Sequence, residues 1–179
     1  MAGRRVAISK FKHWWTVVLL TAGIALNGQA AWAQDAGTET QNLAPDFVLR
    51  AVAGGNIRLS EFQGQVVVLG FWARWCGDCR QARQALDSLY GKYQRAGLVM
   101  LGIDVDDSME QTRAMARSLG LTFPVLVDEQ KTVSNLYKVK SMPLIILIDR
   151  AGQIRYQHKG FQLGDQAKIS DEFRQLLNE

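Results

Sequence analysis

The sequence has few of the side chains that bind metal ions. Two cysteines, Cys76 and Cys79, and two histidines occur among its 179 residues. A structural zinc site takes about four protein ligands. Because His13 lies in an N-terminal segment that we expect to be removed, only His158 remains. This composition disfavours a metal centre, and it leaves one main question: whether the cysteines form a redox pair, a structural disulfide or part of a metal site.

The chain also lacks any long stretch rich in proline, glycine or serine that would separate two domains. Apolar side chains make up 47% of the sequence, which is enough to bury one hydrophobic core at this length. We therefore expect a single folded domain.

Acidic side chains are missing from the first 33 residues. There, four basic side chains precede an apolar run over residues 14–26, and small residues follow up to Ala33. This order predicts a signal peptide over residues 1–33 that is cleaved after Ala33. An uncleaved membrane anchor is the alternative, but the run has about thirteen residues where a spanning helix needs about twenty.

Removal of this segment changes the charge of the chain. The whole sequence holds 21 Lys and Arg against 17 Asp and Glu, and the segment carries four of the basic residues and no acidic ones. The mature chain is formally neutral, so we expect no nucleic-acid partner. The signal predicts the periplasm, where thiols tend to be oxidised, and contact with a membrane only through the signal or an uncleaved anchor facing the periplasm.

The remaining residues alternate between strand and helix patterns. Residues 34–44 are small and polar, which indicates a flexible lead-in before a domain over residues 45–179. Alternation around two glycines predicts a hairpin over 47–51 and 56–59. Buried strands are predicted over 65–73, 98–106 and 142–149, a further strand over 153–159, and helices over 76–96, 109–120, 131–139 and 164–179. The order predicts an α/β fold with a central mixed sheet, helices on both faces and an N-terminal β-hairpin.

The two cysteines follow a buried strand and open a helix. At a helix N-terminus the unsatisfied N–H groups and the macrodipole favour an anion, so we expect Cys76 to ionise readily. Cys79 comes one turn later, within disulfide range and more covered. We therefore expect Cys76 to be the nucleophile and Cys79 the resolving thiol. A purely structural disulfide is less favoured because so short a loop removes little chain entropy.

The residues around the cysteines affect this chemistry in different ways. Asp78 lies between the two cysteines, where its charge opposes thiolate formation, whereas Arg74 and Arg80 favour it. The sequence does not fix the sum of these effects, and the reduction potential stays open. For Trp75, directly before Cys76, core packing and an exposed contact surface both remain open.

The pattern W-x-x-W-C-x-x-C between strand and helix, with a later strand that starts at a proline, resembles the thioredoxin superfamily. With the lead-in LAPDFVLRAVAGGNIRLSEFQGQ, residues 43–163 are specifically similar to the TlpA/ResA-like branch of exported thiol/disulfide oxidoreductases. The resemblance implies a thioredoxin-like three-layer fold and a redox-active disulfide between Cys76 and Cys79. It also implies a cis peptide bond between Met142 and Pro143, with the Met142 backbone free to bind an extended substrate segment. A trans bond is the alternative, since proline is common at a strand start.

The resemblance further implies an enzyme without a prosthetic group that acts on protein disulfides. Members of the TlpA/ResA-like branch reduce apocytochrome c before haem attachment or repair thiols in other proteins. They receive the electrons from a thiol protein in the membrane. Two alternatives stay open: a net oxidant of folding proteins, and a copper-handling module for oxidase assembly that uses both cysteines and Met142. A peroxiredoxin, suggested by the stretch APDF, is excluded because P-x-x-x-T-x-x-C is missing.

Four positions depart from the pattern of the branch. Gly70 stands where thioredoxins have a buried Asp, Ala82 where cytochrome-maturation members often have Glu, and Gln84 where a helix proline is customary. Met142 stands where Thr is usual. Because no carboxylate remains at these positions to accept the Cys79 proton, we expect water or Asp78 to take that role, and the cytochrome assignment weakens.

Overall fold

The computed structural model describes residues 42–106 and 108–179. The predicted signal peptide and most of the lead-in lie outside these residues. The backbone contacts of the domain begin slightly before Pro45, because the amide of Ala44 donates to the carbonyl of Gly152 at 2.9 Å and Leu43 pairs with Gln153. Within the described part of the chain, no helix is both long and apolar enough to cross a membrane.

Seven strands form one mixed sheet in the order β2-β1-β5-β4-β3-β6-β7. The central strand β3 pairs parallel with β4 and antiparallel with β6, and β4 pairs parallel with β5, whereas β1 pairs antiparallel with both β2 and β5. The strands are β1 Val48–Ala51, β2 Asn56–Arg58, β3 Val66–Trp72, β4 Leu98–Asp104, β5 Val125–Val127, β6 Leu144–Ile148 and β7 Ile154–Lys159. Strands β3 and β6 are buried along their whole length, as their continuous apolar runs predict.

Four helices cover the two faces of the sheet. They are α1 Cys79–Tyr93, α2 Met109–Leu119, α3 Thr132–Leu136 and α4 Asp165–Asn178. Side chains of α1, α2 and α4 pack in one hydrophobic cluster, and those of α3 pack in a second cluster with β1. The predicted sheet with helices on both faces is therefore confirmed.

The helix ends follow from local sequence signals. The hydroxyl of Ser108 accepts a hydrogen bond from the amide of Gln111 and caps α2, which ends before Gly120 in the left-handed conformation. Helix α1 continues as a 3₁₀ turn to Ala96 and stops at Gly97, which has a φ of 96°. The start of α2 and the end of the 3₁₀ turn at Ala96 agree with the prediction, and α2 ends one residue earlier than predicted.

Candidate active site at the carboxyl end of β3

Strand β3 leads directly into the segment that carries the cysteines. The amide of Cys76 donates to the carbonyl of Ala73, and the amide of Cys79 donates to the carbonyl of Cys76, both at 3.3 Å. Helix α1 therefore begins at Cys79, and the prediction that it begins at Cys76 is wrong. Two successive turns, each closed by one of these backbone hydrogen bonds, connect the end of β3 to the start of α1.

Cys76 and Cys79 are joined by a disulfide, with their Cα atoms 5.4 Å apart. Because this bond ties the Cys76 sulfur to that of the first helical residue, the sulfur still lies at the N-terminus of α1, where the helix dipole favours a thiolate. Cys76 is 9% exposed and Cys79 is 0% exposed. Cys76 is thus the less covered of the two residues, whereas Cys79 is fully enclosed by the protein.

The loop before β6 packs against the same cluster as the cysteines. The Met142–Pro143 peptide bond is cis. Met142 is half-buried and Pro143 is buried, and the carbonyl of Pro143 accepts a hydrogen bond of 2.8 Å from the amide of Gly160. Met142 contacts the cluster that contains both cysteines, so its side chain belongs to the surroundings of the disulfide.

The aromatic side chains of this segment differ in exposure. Phe71 and Trp72 are buried in the core, whereas Trp75 is 73% exposed. Of the two possibilities left open for Trp75, core packing is therefore excluded, and a contact surface beside Cys76 stays a prediction.

The three charged residues near the cysteines, Arg74, Asp78 and Arg80, differ in what they contact. The backbone amide of Arg74 donates to Oδ2 of Asp106 at 2.7 Å, and its Nε donates to the same oxygen at 3.2 Å. Asp106 therefore holds the start of the active-site loop. Asp78 and Arg80 are exposed, so water screens the charges expected to tune the cysteines.

A buried charged cluster beside this segment was not predicted from the sequence. Asp104, at the end of β4, is 0% exposed, and its Oδ1 accepts a hydrogen bond from the Asp106 amide at 3.0 Å. Burial raises the pKa of Asp104 to about 6, and the nearby charge of Asp106 adds to this effect. Arg83 on α1 is 5% exposed; burial lowers its pKa, and the charge of Asp104 opposes that shift.

Two sequence signals could have indicated this cluster. Asp104 and Asp106 are two residues apart at the end of an apolar strand. Alternate residues of a strand lie on one face, and Asp104 falls on the face that packs against α1. Arg83 follows Cys79 by four residues, on the apolar stripe of α1. In the structure its guanidinium carbon lies 5.7 Å from the centre of the Trp72 ring.

The packing of Trp72 accounts for the missing carboxylate at position 70. A Cβ atom on Gly70 would lie 3.0 Å from Trp72 and 3.0 Å from Leu86. One on Gly102, the register partner of Gly70 on β4, would overlap the Trp72 ring. The indole thus fills the space over both glycines, and a carboxylate on Gly70 has no room without repacking.

The described residues contain no group of three or more His, Cys, Asp and Glu that could hold a metal ion. His158 on β7 instead pairs with Glu172 on α4, with Nε2 2.5 Å from Oε2. Its ring is thus engaged on the side of the sheet that α4 covers.

Comparison with known proteins agrees with this geometry. The family model described as AhpC/TSA family matches residues 40–157. Thiol-disulfide oxidoreductase ResA of Geobacillus kaustophilus is 37% identical over 112 residues, which are 63% of this chain and 64% of that relative. The chain thus spans just under two thirds of this relative's length. Thioredoxin-like protein YneN of Bacillus subtilis is 33% identical over 83% of this chain and 91% of its own.

Among solved structures, a Chlorobium tepidum protein described as thiol:disulfide interchange protein DsbE is 33% identical, with a TM-score of 0.72. The match covers 76% of this chain and 96% of that structure. The chain therefore belongs to the AhpC/TSA family and groups with thioredoxin-like relatives that are named thiol-disulfide oxidoreductases.

Proposed function

We propose that this protein exchanges the dithiol and disulfide forms of Cys76 and Cys79 with disulfides of other proteins. The observation that carries the proposal is the unequal burial of two disulfide-bonded cysteine residues at the start of α1. An accessible sulfur stabilised by a helix N-terminus can attack, and a covered sulfur within bonding distance can only resolve.

The reaction has two steps in the reducing direction. The Cys76 thiolate attacks one sulfur of a substrate disulfide, forms a mixed disulfide and releases the other sulfur as a thiolate. Cys79 then loses its proton, and its thiolate attacks the Cys76 sulfur, so that the remaining substrate sulfur leaves with the electron pair and takes a proton from water. The substrate gains two electrons, and the protein is left with the Cys76–Cys79 disulfide.

The surface around Cys76 suits an extended polypeptide. Trp75 offers an exposed aromatic ring beside the sulfur, and Met142 offers a soft apolar contact. Within the described residues the Met142 backbone makes no hydrogen bond to other backbone groups, so a substrate strand can pair with it as the resemblance implies.

We further propose that the protein is a periplasmic reductant. The names of the relatives support thiol-disulfide exchange. The resemblance to the TlpA/ResA-like branch adds the reducing direction, with cytochrome c maturation or thiol repair as the setting and a membrane thiol protein as the electron donor. The proposal includes cleavage after Ala33 and a mature domain over residues 45–179. No prosthetic group takes part, because the disulfide itself carries the electrons.

Reduction of insulin disulfides by a dithiol reductant tests the activity. The wild-type protein should accelerate insulin precipitation, and both Cys76→Ser and Cys79→Ser should lose turnover. A reduction potential near the roughly −270 mV of reducing thioredoxins supports a reductant, whereas one near roughly −120 mV supports an oxidant. Negligible insulin reduction together with stoichiometric Cu(I) binding would favour the copper-handling alternative instead.

A further inference from the structure

Arg83 is a buried cation without a hydrogen-bond partner for two of its nitrogens. Nε and Nη1 are both inaccessible to solvent, and neither has a partner among the described residues. Leaving a buried donor without a hydrogen-bond partner destabilises the folded state, and the cost is larger for a charged group. A side chain kept in such a place is a candidate for a role other than stability.

Arg83 lies next to Cys79 on the buried face of α1. The two residues are four apart, which puts their side chains on the same face about one turn from each other. Helical side chains lean toward the N-terminal turn, so the Arg83 side chain leans toward the turn that begins with Cys79. The guanidinium packs over Trp72, which shares one hydrophobic cluster with both cysteines.

We propose that Arg83 is a positioning residue of the exchange reaction, whose buried charge stabilises the Cys79 thiolate that attacks the mixed disulfide. This inference rests on the proposed function. In thioredoxins a buried carboxylate accepts the proton of the cysteine equivalent to Cys79, and this chain has Gly70 at the position of that carboxylate. Arg83 would act differently: it makes loss of the Cys79 proton to water easier and does not accept that proton itself.

The charges around Arg83 set the sign of the expected effects. Asp104 from β4 and Asp106 from the following loop favour the charged form of Arg83, whereas Arg80 on α1 opposes it. Asp104 neutralises part of the field of Arg83, because its carboxylate is buried and its charge acts on the guanidinium. Removing the Arg83 charge should disfavour the Cys79 thiolate, and removing the Asp104 charge should favour it.

The Cys79 thiol can be titrated directly in a Cys76→Ser background, because the chain then holds a single cysteine. Ultraviolet absorbance of the thiolate is followed against pH, and the Cys76→Ser/Cys79→Ser protein supplies the baseline. We expect Arg83→Met to raise the midpoint by about one pH unit or more, and Asp104→Asn to lower it. Arg83→Lys should stay close to the parent protein because it retains the charge.

Arg80→Met is the matched comparison, since it removes the same charge from the exposed face of the same helix. Its shift should be several-fold smaller because water screens Arg80. A purely structural role of Arg83 would not produce opposite shifts for Arg83→Met and Asp104→Asn. The proposal is overturned if Arg83→Met leaves or lowers the midpoint, if Asp104→Asn raises it, or if Arg80→Met matches Arg83→Met.

Rapid mixing of the reduced protein with excess dithionitrobenzoate connects the titration to the reaction. Attack by Cys76 releases one coloured thiolate, and attack by Cys79 releases a second one in a step independent of reagent concentration. Arg83→Met should slow the second phase about tenfold at neutral pH and leave the first phase unchanged. Equal slowing of both phases would contradict the proposed role of Arg83. Loss of the first phase in the wild type would instead refute the proposed function. Should Arg83→Met fail to fold, Asp104→Asn must accelerate the second phase.

Discussion

Gly102 lies at the point where β4 passes under the Trp72 ring, and replacing it with alanine should disrupt the core beside the active site. The added methyl group would overlap the indole of Trp72 and lie 2.8 Å from Cε2 of Phe123. Carbon atoms pack at about 3.5–4.0 Å, so one of the rings or the strand must move. The strand is held on both sides, by Gly70 of β3 and Val125 of β5.

Overpacking of this kind costs typically about 1–3 kcal/mol. Because two aromatic rings are affected and β4 is paired on both edges, we expect a loss of about 3 kcal/mol in the free energy of unfolding. The matched control is Gly91→Ala in helix α1, where nothing lies within 4 Å of the added methyl group. That change should stabilise the protein by roughly 0.5–1 kcal/mol, since alanine is the better helix former.

Urea denaturation of the two variants and the wild type at one pH measures both effects. Replacing glycine with alanine should thus lower the urea midpoint at position 102 and raise it at position 91. A Gly102→Ala protein as stable as the wild type would refute the placement of Trp72 over β4.

Three further outcomes follow from the described contacts. Asp104 has a folded-state pKa of about 6 against 3.8 when unfolded, so its ionisation costs stability as pH rises from 4 to 6. Asp104→Asn should remove that loss and raise the free energy of unfolding by at most about 3 kcal/mol at pH 7, as measured by denaturation at a series of pH values. If the stability of the variant depends on pH as that of the wild type does, this prediction is wrong. Asp128→Ala should cost about 1–3 kcal/mol, since the buried carboxylate accepts the Ser134 amide at 2.7 Å; thermal unfolding with an unshifted midpoint would argue against this bond. Trp75→Ala should leave unfolding unchanged within about 0.5 kcal/mol but raise the KM for insulin and spare the reaction with dithionitrobenzoate, and an equal loss with both substrates would exclude a contact surface.

The sheet was predictable because its central strands carry continuous apolar runs between clear turn signals. Residues 65–73 and 142–149 have no polar side chain to place on a solvent face until their ends, so burial on both sides is the only consistent arrangement. Helix α2 was predictable for a local reason as well, since Ser108 and Gly120 mark its two ends.

The start of α1 was mispredicted because its determinants are not local. Gly77 and Asp78 are compatible with a helix, but backbone hydrogen bonds from Cys76 to Ala73 and from Cys79 to Cys76 close two turns there instead. Asp106 fixes Arg74 from a different strand end, 32 residues along the chain. Sequence periodicity contains no information on that contact.

The buried charges were missed because burial of a polar side chain depends on what packs over it. Alternation puts Asp104 on the face of β4 toward α1, but a side chain at a strand end is buried there only if its neighbours extend over it, and here the ring of Trp72 packs over that face at Gly102. The departure at Gly70 has a similar origin, because the ring that fills its space comes from the same strand two residues later. The motif located the reacting sulfurs, and the three-dimensional packing located the charges around them.

The most direct test of the central claim is to locate the covalent intermediate. Reduced Cys79→Ser and Cys76→Ser proteins are each mixed with a disulfide-containing peptide, and intact mass followed by peptide mapping identifies any adduct. The account predicts that Cys79→Ser accumulates a peptide disulfide at Cys76 and that Cys76→Ser forms almost none, because its remaining sulfur is buried. Equal adducts on both variants, or preferential capture by Cys79, would contradict it.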